Sequence, residues 1–241
     1  MRGLILVARR ELGAYTNTSM GYVILAAFLL LEGLFFNAFA VGASAKASAD
    51  VLGDFFYFSF GCTVAAALFF SMRLIAEERQ TGTMVLLQSS PLANWQVVGG
   101  KFLSVIVLIA VMLLISGYMP ALIFVNGKVS LSHIGVGYLG VFLAGATAAS
   151  IGTFGSTLAK SQLVAVIVSG GITVALLMAW ILGRVTDPPV AELWSYLSIY
   201  DRHFQGFQKG RINTEDVVFY LSVCFGFLLL STRVLSARRW K

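Results

Sequence analysis

The sequence predicts an all-α, polytopic membrane protein with six transmembrane helices and with both termini in the cytoplasm. Only 12% of its 241 residues are charged, whereas average soluble domains carry about 25%. Six apolar runs lie near or above the ~18 residues that mark a membrane span, and helices of ~20 residues match a hydrocarbon core ~30 Å thick. None alternates apolar and polar residues as barrel strands do. The runs are Met20–Val41, Phe55–Met72, Phe102–Val125, Ile134–Leu158, Leu163–Leu182 and Val217–Leu235.

Residues 1–18 are predicted to form an amphipathic lead-in helix on the cytoplasmic surface. A cleavable signal is not expected, because the apolar stretch Leu4–Ala8 is too short for one. The apolar face of this helix is formed by Leu4, Ile5, Ala8 and Leu12. The charged face is formed by Arg2, Arg9 and Glu11. The alternative is a frayed terminus.

Lys and Arg residues indicate the orientation of the chain, because they concentrate on the cytoplasmic side of membrane proteins. If the chain starts inside, the two short outer loops hold only Lys46 and Lys128. One longer outer segment holds Arg184, Arg202, Lys209 and Arg211, and all the others are cytoplasmic. The formal charge of +6 is therefore a topology and lipid-headgroup signal. It does not indicate nucleic-acid binding, since no basic stripe carries interleaved aromatic residues.

Residues 183–216 are predicted to be an outer interfacial segment. Its Pro188-Pro189 pair cannot lie inside a helix. Apolar and aromatic residues then recur at helical spacing, namely Leu193, Trp194, Leu197, Tyr200, Phe204 and Phe207. Because aromatic side chains favour the membrane–water interface, we expect one or two short helices in the outer leaflet. An interfacial loop with anchoring aromatics is the alternative.

The fourth span carries small residues at four-residue spacing, namely Gly140, Ala144, Ala148, Gly152 and Ser156. Such rows allow helix backbones to approach each other closely. We therefore expect this face to pack against other helices, either in the same chain or in a second copy.

The sequence contains no motif for catalysis, nucleotide binding or metal binding. The stretch that ends in Gly100-Lys101 is not a phosphate-binding loop, because Trp95 and Phe102 replace its required Gly and Ser or Thr. His133 and His203 are expected to be solvated or interfacial, without a carboxylate or Cys cluster around them. We therefore expect the chain to have no catalytic residue and to bind no metal or cofactor of its own.

Glu32 is the one ionisable side chain well inside a predicted span, about 18 Å along the first helix at a rise of ~1.5 Å per residue. A charge at that depth is costly and marks a pathway or a buried partner. Glu32 is therefore a candidate for a translocation path or an inter-helix contact. The alternatives are that the span shifts to bring Glu32 near the outer interface, or that the carboxyl is protonated.

The inner segment, residues 73–101, contains the polar stretch EERQTGTMVLLQSSP. The second span is expected to continue as a helix to Gln80, with Glu77 and Glu78 in water, until Gly82 permits a left-handed stop. After a short helix, Ser90-Pro91 is expected to start the helix that leads through Lys101 into the third span. An exposed apolar tip is predicted between them, and it would either dock into a groove or lie on the bilayer surface. The tip is Met84, Val85, Leu86 and Leu87.

At these residues the sequence resembles the permease subunits of type-2 ABC transporters, and it looks closest to the branch that includes the gliding-motility-associated permeases. The pattern is an acidic residue before Gly-Thr, an apolar stretch, a Ser-Pro pair and a Gly-Lys pair. Here these are Glu78, Gly82-Thr83, Met84–Leu87, Ser90-Pro91 and Gly100-Lys101. The likeness extends from the lead-in segment to the C-terminal tail. Glu32 departs from it, since a neutral residue is expected there.

The resemblance implies that residues 1–241 form a single, non-catalytic transmembrane domain that works with a separate ABC ATPase and with a second permease subunit, identical or different. The ATPase would bind ATP and Mg²⁺. The inner segment would be the coupling helix, with polar contacts from Glu77, Glu78 and Arg79, a bend at Gly82-Thr83 and a plug at Met84–Leu87. The whole would be an ATP-driven exporter in the inner membrane of a bacterium. The alternative is a membrane anchor or scaffold of an envelope or motility machine, in which ATP turnover acts on a partner protein.

Overall fold

The computed structural model describes residues 2–41, 47–84, 92–126 and 129–238, and within these ranges it contains helices and no β-strand. A π-helix, Phe36–Val41, continues the second helix. The helices are α1 (Arg2–Asn17), α2 (Ser19–Phe35), α3 (Ser48–Ser71), α4 (Arg73–Gln80), α5 (Asn94–Ser116), α6 (Tyr118–Asn126), α7 (Leu131–Leu158), α8 (Gln162–Leu177), α9 (Ala179–Val185), α10 (Val190–Leu197), α11 (Phe204–Gln208) and α12 (Thr214–Arg238).

Among the described residues, five helical stretches are long and apolar enough to cross a membrane. They are Ser19–Phe39, Ser48–Gln80, Asn94–Phe124, Leu131–Leu158 and Thr214–Ala237. The pair α8 and α9, bent by 42°, makes a sixth if it is counted as one broken span. The prediction of an all-α polytopic membrane protein is therefore confirmed, with the fifth apolar run divided between two helices.

Helix α7 lies at the centre of the bundle, where it packs against α3, α5, α8, α11 and α12. All five small residues of its four-residue row are buried. A Cβ atom on Gly140 would lie 2.4 Å from the Cβ of Phe207, and one on Gly152 would lie 1.7 Å from the Oγ of Ser71. The close approach of α7 to its neighbours thus depends on the missing side chains.

Part of the outer segment packs inside the bundle. Helix α9 ends at Val185 and α10 begins at Val190, so the predicted proline break falls between two helices. Phe204 and Phe207 are fully buried, and the Phe204 ring lies 4.5 Å from that of Phe60 between centroids. The alternative of an interfacial loop with anchoring aromatics therefore does not apply to these two residues, which lie inside the bundle, where Gly140 leaves room for Phe207 against α7.

His203 is also buried, contrary to the expectation of a solvated or interfacial side chain. Its Nδ1–H donates a hydrogen bond to the Asp216 carboxylate at 2.8 Å, and its ring stacks on Phe219 at 3.8 Å between centroids. The carboxylate comes from the first turn of α12, which lies against the outer segment.

Helix α1 packs along the first turns of α5. Val7 and Ala8 are buried, and a Cβ on Gly100 would lie 2.7 Å from the Val7 Cβ. Ile5 was expected to share the apolar face with Ala8 but is 60% exposed. Glu11, expected on the charged face, has a side chain that is only 13% exposed. The docked face is therefore rotated relative to the predicted one, because contact with α5 selects the stripe that includes Val7 and Glu11.

Candidate functional site

The helix of the second span continues to Gln80 as predicted, but its backbone hydrogen bonds are interrupted between α3 and α4. The Ser156 hydroxyl of α7 accepts hydrogen bonds from the backbone N–H groups of Ile75 and Ala76, each at 2.9 Å. The same hydroxyl donates to the Met72 carbonyl at 2.9 Å. In an uninterrupted helix those N–H groups would bind carbonyls four residues earlier. Ser156 therefore attaches the start of α4 directly to the central helix.

The C-terminal end of α4 is exposed and ends at a glycine in the left-handed conformation. Gly82 has φ +74°, the stop that the sequence predicts for it. The Thr81 and Thr83 hydroxyls donate to the carbonyls of Glu77 and Glu78, at 2.9 and 3.4 Å. The Thr83 bond supplies a partner for a carbonyl at the helix end, whereas the Glu77 carbonyl also accepts the backbone N–H of Thr81 at 2.9 Å.

The predicted apolar tip lies only partly within the described residues. Met84 is half-buried and packs against the apolar core of the chain, so the expectation that it is exposed is wrong. Val85, Leu86 and Leu87, like Ser90-Pro91, lie outside the described residues.

The next helix, α5, begins at Asn94, and the expectation that it begins at Ser90-Pro91 is wrong. The backbone of Ala93 is extended, with φ −71° and ψ 145°, so α5 cannot continue through this residue toward Ser90-Pro91. Its backbone N–H donates to the Gln96 side chain at 3.1 Å, so Gln96 supplies the capping contact at the start of α5.

Four charged side chains from three helices meet at the inner end of the bundle; we call them the inner ion network. They are Arg10 and Glu11 of α1, Glu78 of α4 and Lys101 of α5. The Lys101 Nζ lies 2.9 Å from Glu11 Oε1 and 3.0 Å from Glu78 Oε1. The Arg10 guanidinium lies 2.8 Å from each of the same two oxygens. The two cations thus separate two carboxylates that would otherwise repel each other.

The four side chains of the network are unequally buried, and burial determines how strongly water screens each charge. The Lys101 side chain is 2% exposed and those of Glu11 and Glu78 are 13% and 14% exposed, whereas that of Arg10 is 60% exposed. Burial raises the pKa of Glu11, but the charges of Lys101 and Arg10 outweigh it and hold that pKa below its ordinary value. The hydrogen bond to Glu11 is the main cause that raises the pKa of Arg10.

Three further contacts hold the remaining charged residues of α4. Arg73 pairs with Glu77 at 2.6 Å, and its guanidinium lies 4.7 Å from the centre of the Tyr15 ring. The Arg79 guanidinium donates to the Ala159 carbonyl just beyond α7, at 2.9 Å. The expectation that Glu78 lies in water is therefore wrong, while the Glu77 side chain is 35% exposed. Glu78 and Arg79, which were predicted to contact a partner, thus also contact groups of this chain.

A polar cleft of about 320 Å³ lies between α1, α4 and the start of α5. Its lining includes all four residues of the inner ion network together with Arg73 and Glu77, and also Thr81 and Thr83 at the exposed end of α4. The cleft places the exposed end of α4 next to the charges that hold this helix in position.

Glu32 lies in α2 and is 1% exposed. Its carboxyl group is close to the hydroxyls of Ser59 in α3 and Ser116 in α5. Glu32 therefore faces the interior of the bundle.

Sequence reasoning missed the residues that join helices distant in the chain. Lys101 was noticed only as part of a Gly-Lys pair, and Ser156 only as a small residue. One usable signal was the lysine directly before an apolar run, because a lysine that becomes buried within a helix needs a charged partner. The partners themselves, 90 and 80 positions away in the two cases, have no local signal.

Comparison with models of known protein families matches residues 32–240 to the model described as "ABC-2 family transporter protein". The match begins at Glu32 in α2 and includes the inner segment, residues 73–101, and the central helix α7. A search of curated proteins finds no significant match.

Proposed function

Because the chain belongs to the ABC-2 transporter family, we propose that it is the permease subunit of an ATP-driven exporter, moved by a separate ATPase through the segment between α3 and α5. The family makes the chain a permease component of an ABC transporter, integral to a membrane. We add three points to that assignment: outward transport, coupling through α4, and pairing with a second permease subunit.

The attachment of α4 to three other helices is the observation that carries the coupling proposal. Ser156 binds its first turn to α7, and Lys101 binds Glu78 to α5. Arg10 and Glu11 join the same network from α1. Since α7 is the centre of the bundle, a force applied to α4 reaches the membrane helices through short, polar contacts.

The contacts divide the coupling segment into two parts with different roles. Glu78 and Arg79 bind groups of this chain, so they transmit motion within the permease. The exposed end of α4, from Thr81 to Thr83, and the apolar residues Val85–Leu87 dock into the ATPase. Glu77, with a side chain 35% exposed, can contribute to both parts.

The partners follow from this division. The ATPase subunit binds ATP and Mg²⁺, and this chain binds neither and catalyses no reaction. A second permease, either a copy of this chain or a different one, completes the path across the inner membrane of a bacterium. Glu32 is a candidate residue of that path, and lipid covers the apolar faces that remain.

The experiment compares two variants of the full chain, expressed with its ATPase and purified in mild detergent. Leu86→Asp is expected to abolish ATPase binding, because it places a charge in an apolar plug. Glu78→Gln is expected to keep the ATPase bound but to lose the change in ATP turnover that the permease causes. Leu131→Asp is the matched control, since Leu131 is 73% exposed at the opposite end of the bundle.

Retention of the ATPase by Leu86→Asp would refute the docking part of the proposal. Unchanged permease-dependent ATP turnover in Glu78→Gln would refute the transmission part. Each variant is first checked for an unaltered elution volume, so that loss of folding is not read as loss of coupling.

A further inference from the structure

Glu32 is a buried carboxyl group without a compensating charge. Only 1% of the residue is exposed, and neither carboxylate oxygen makes a hydrogen bond that meets normal distance and angle limits. Among the described residues no cationic side chain pairs with it; Ser59 and Ser116 lie close by, at the limit of hydrogen-bonding contact. An isolated ionised carboxylate in an apolar interior is very costly. The group therefore needs a positive charge that no side chain supplies.

The surroundings of Glu32 are polar and come from several spans. Ser59 approaches from α3 and Ser116 from α5. The Tyr138 hydroxyl of α7 lies 3.1 Å from the Ser116 hydroxyl and interacts with the Glu32 charge. The Cys62 thiol, one turn from Ser59, lies near enough to interact with the Glu32 charge.

Among the described residues, no charged side chain contributes to the electrostatic surroundings of Glu32. Tyr118 of α6 completes the surroundings, with its hydroxyl 4.0 Å from the Cβ position of the adjacent Gly33. Cys62 and the two tyrosines are the titratable groups nearby, and all are neutral in their ordinary state.

Two hydroxyls on α3 lack the bond that buried serines and threonines usually make in a helix. A helical Ser or Thr can donate to a carbonyl three or four residues earlier, and Ser71, Thr147 and Thr153 of this chain do so. Ser59 and Thr63 are fully buried and make no hydrogen bond at all. They lie on one face of α3, four positions apart, and Ser59 is close to the Glu32 carboxyl. Their lone pairs are therefore available to a ligand.

We propose that the Glu32 cluster, formed by Glu32, Ser59, Thr63, Ser116 and Tyr138, binds one monovalent cation, either a proton or a sodium ion. One positive charge neutralises the single carboxylate, whereas a divalent ion would leave a net charge buried. Carboxylate and hydroxyl oxygens are hard ligands that suit small, hard cations. Softer metals are not favoured, because the described residues contain no group of three His, Cys, Asp or Glu side chains.

Occupation of the site would control the attachment of α2 to the bundle. Phe28 and Glu32 are the buried residues of α2, and the rest of this span is largely uncovered by the chain. The bound cation makes it possible for the Glu32 carboxylate to stay buried in the bundle. Loss of the cation would therefore weaken the contact of α2 with α3 and α5. This inference does not depend on the ATPase coupling proposed above.

The test measures the reaction of a hydrophobic carbodiimide with Glu32 in the full chain, reconstituted in lipid nanodiscs. Such reagents attack the protonated carboxyl, and a bound sodium ion blocks them. The modified peptide is quantified by mass spectrometry over pH 5–9, in sodium or potassium chloride. Glu32→Gln is the control for reaction at this position, and Ser59→Ala combined with Thr63→Ala removes two proposed sodium ligands while keeping the carboxyl.

If the ligand is a proton, the rate falls about tenfold per pH unit above the midpoint, and sodium has no effect. If it is sodium, sodium but not potassium slows the reaction at a fixed pH, and the double variant loses that protection. A rate that depends on neither pH nor sodium would overturn the proposal, because Glu32 would then be a permanently neutral structural group. A complete lack of reaction across the whole pH range would also overturn the proposal. This outcome counts only if the wild type elutes as the folded species and Glu32→Gln is equally well folded.

Discussion

Replacement of Lys101 by methionine tests the inner ion network most directly. Methionine keeps the length and apolar character of the buried stem but removes the ammonium group that lies 2.9 Å from Glu11 and 3.0 Å from Glu78. Breaking a buried ion pair by removing one partner costs about 3–5 kcal/mol. We expect the lower end, about 3 kcal/mol, because Arg10 still contacts both carboxylates but is largely solvated and therefore screened.

The measurement is the unfolding midpoint in mixed detergent micelles, followed by tryptophan fluorescence. Lys160→Met is the matched control, since Lys160 is exposed at the same end of the bundle. Addition of Glu78→Gln to Lys101→Met should recover part of the loss, because it removes one of the two carboxylates that repel each other. The reasoning fails if Lys101→Met unfolds at the same midpoint as Lys160→Met, or if Glu78→Gln makes the Lys101 variant worse.

The network also predicts a dependence of stability on pH. The pKa of Glu11 is lowered in the folded protein, so its contribution is present at neutral pH and is lost as the pH falls through that lowered value. In Lys101→Met one cause of the lowering is gone, and the loss of stability should begin at a higher pH. Parallel acid titrations of the wild type and Lys101→Met, without any difference in midpoint, would contradict this.

The remaining predictions concern the joint between α4 and α7. Ser156→Ala should cost about 2–3 kcal/mol, because it leaves two backbone N–H groups and one carbonyl without their partner; an unchanged unfolding midpoint would mean that α4 re-forms its own hydrogen bonds. Gly152→Ala should lower the midpoint and the yield, because its Cβ would lie 1.7 Å from the Ser71 Oγ, whereas Gly61→Ala, with nothing within 4 Å, should not. Gly82→Ala should cost about 1 kcal/mol through its positive φ alone, and it should alter ATPase binding more than it alters stability; equal binding would argue against a role for this turn in docking.

The sequence was sufficient for features that depend on local chemistry. The apolar runs predicted the spans, the Gly and Pro positions predicted where helices stop, and Gly82 has the predicted conformation. Each of these depends on what a residue does to its own backbone or on whether a segment dissolves in lipid. These two kinds of feature can be predicted without knowing which distant residues of the chain pack against them.

Features that depend on distant partners could not be predicted in the same way. Phe204 and Phe207 have the spacing and composition of interfacial anchors, but the Phe60 ring of α3 and the small surface of α7 at Gly140 make them core residues. Glu78 reads as a solvated helix residue until Lys101 is placed beside it. In each case the local sequence is compatible with an exposed and with a buried side chain, and the residues that pack against it in the folded chain determine which one occurs.

The hydroxyl of Ser156 has one more consequence, which concerns the order in which parts of the molecule can move. It bonds to α4 at the point where the backbone ladder of the second span is interrupted. If the proposed ATPase displaces α4, the displacement would reach α7 first through these bonds, and the outer half of the second span could stay still. A small displacement of α4 would then break the three hydrogen bonds of Ser156 without a rigid-body rotation of the whole second span.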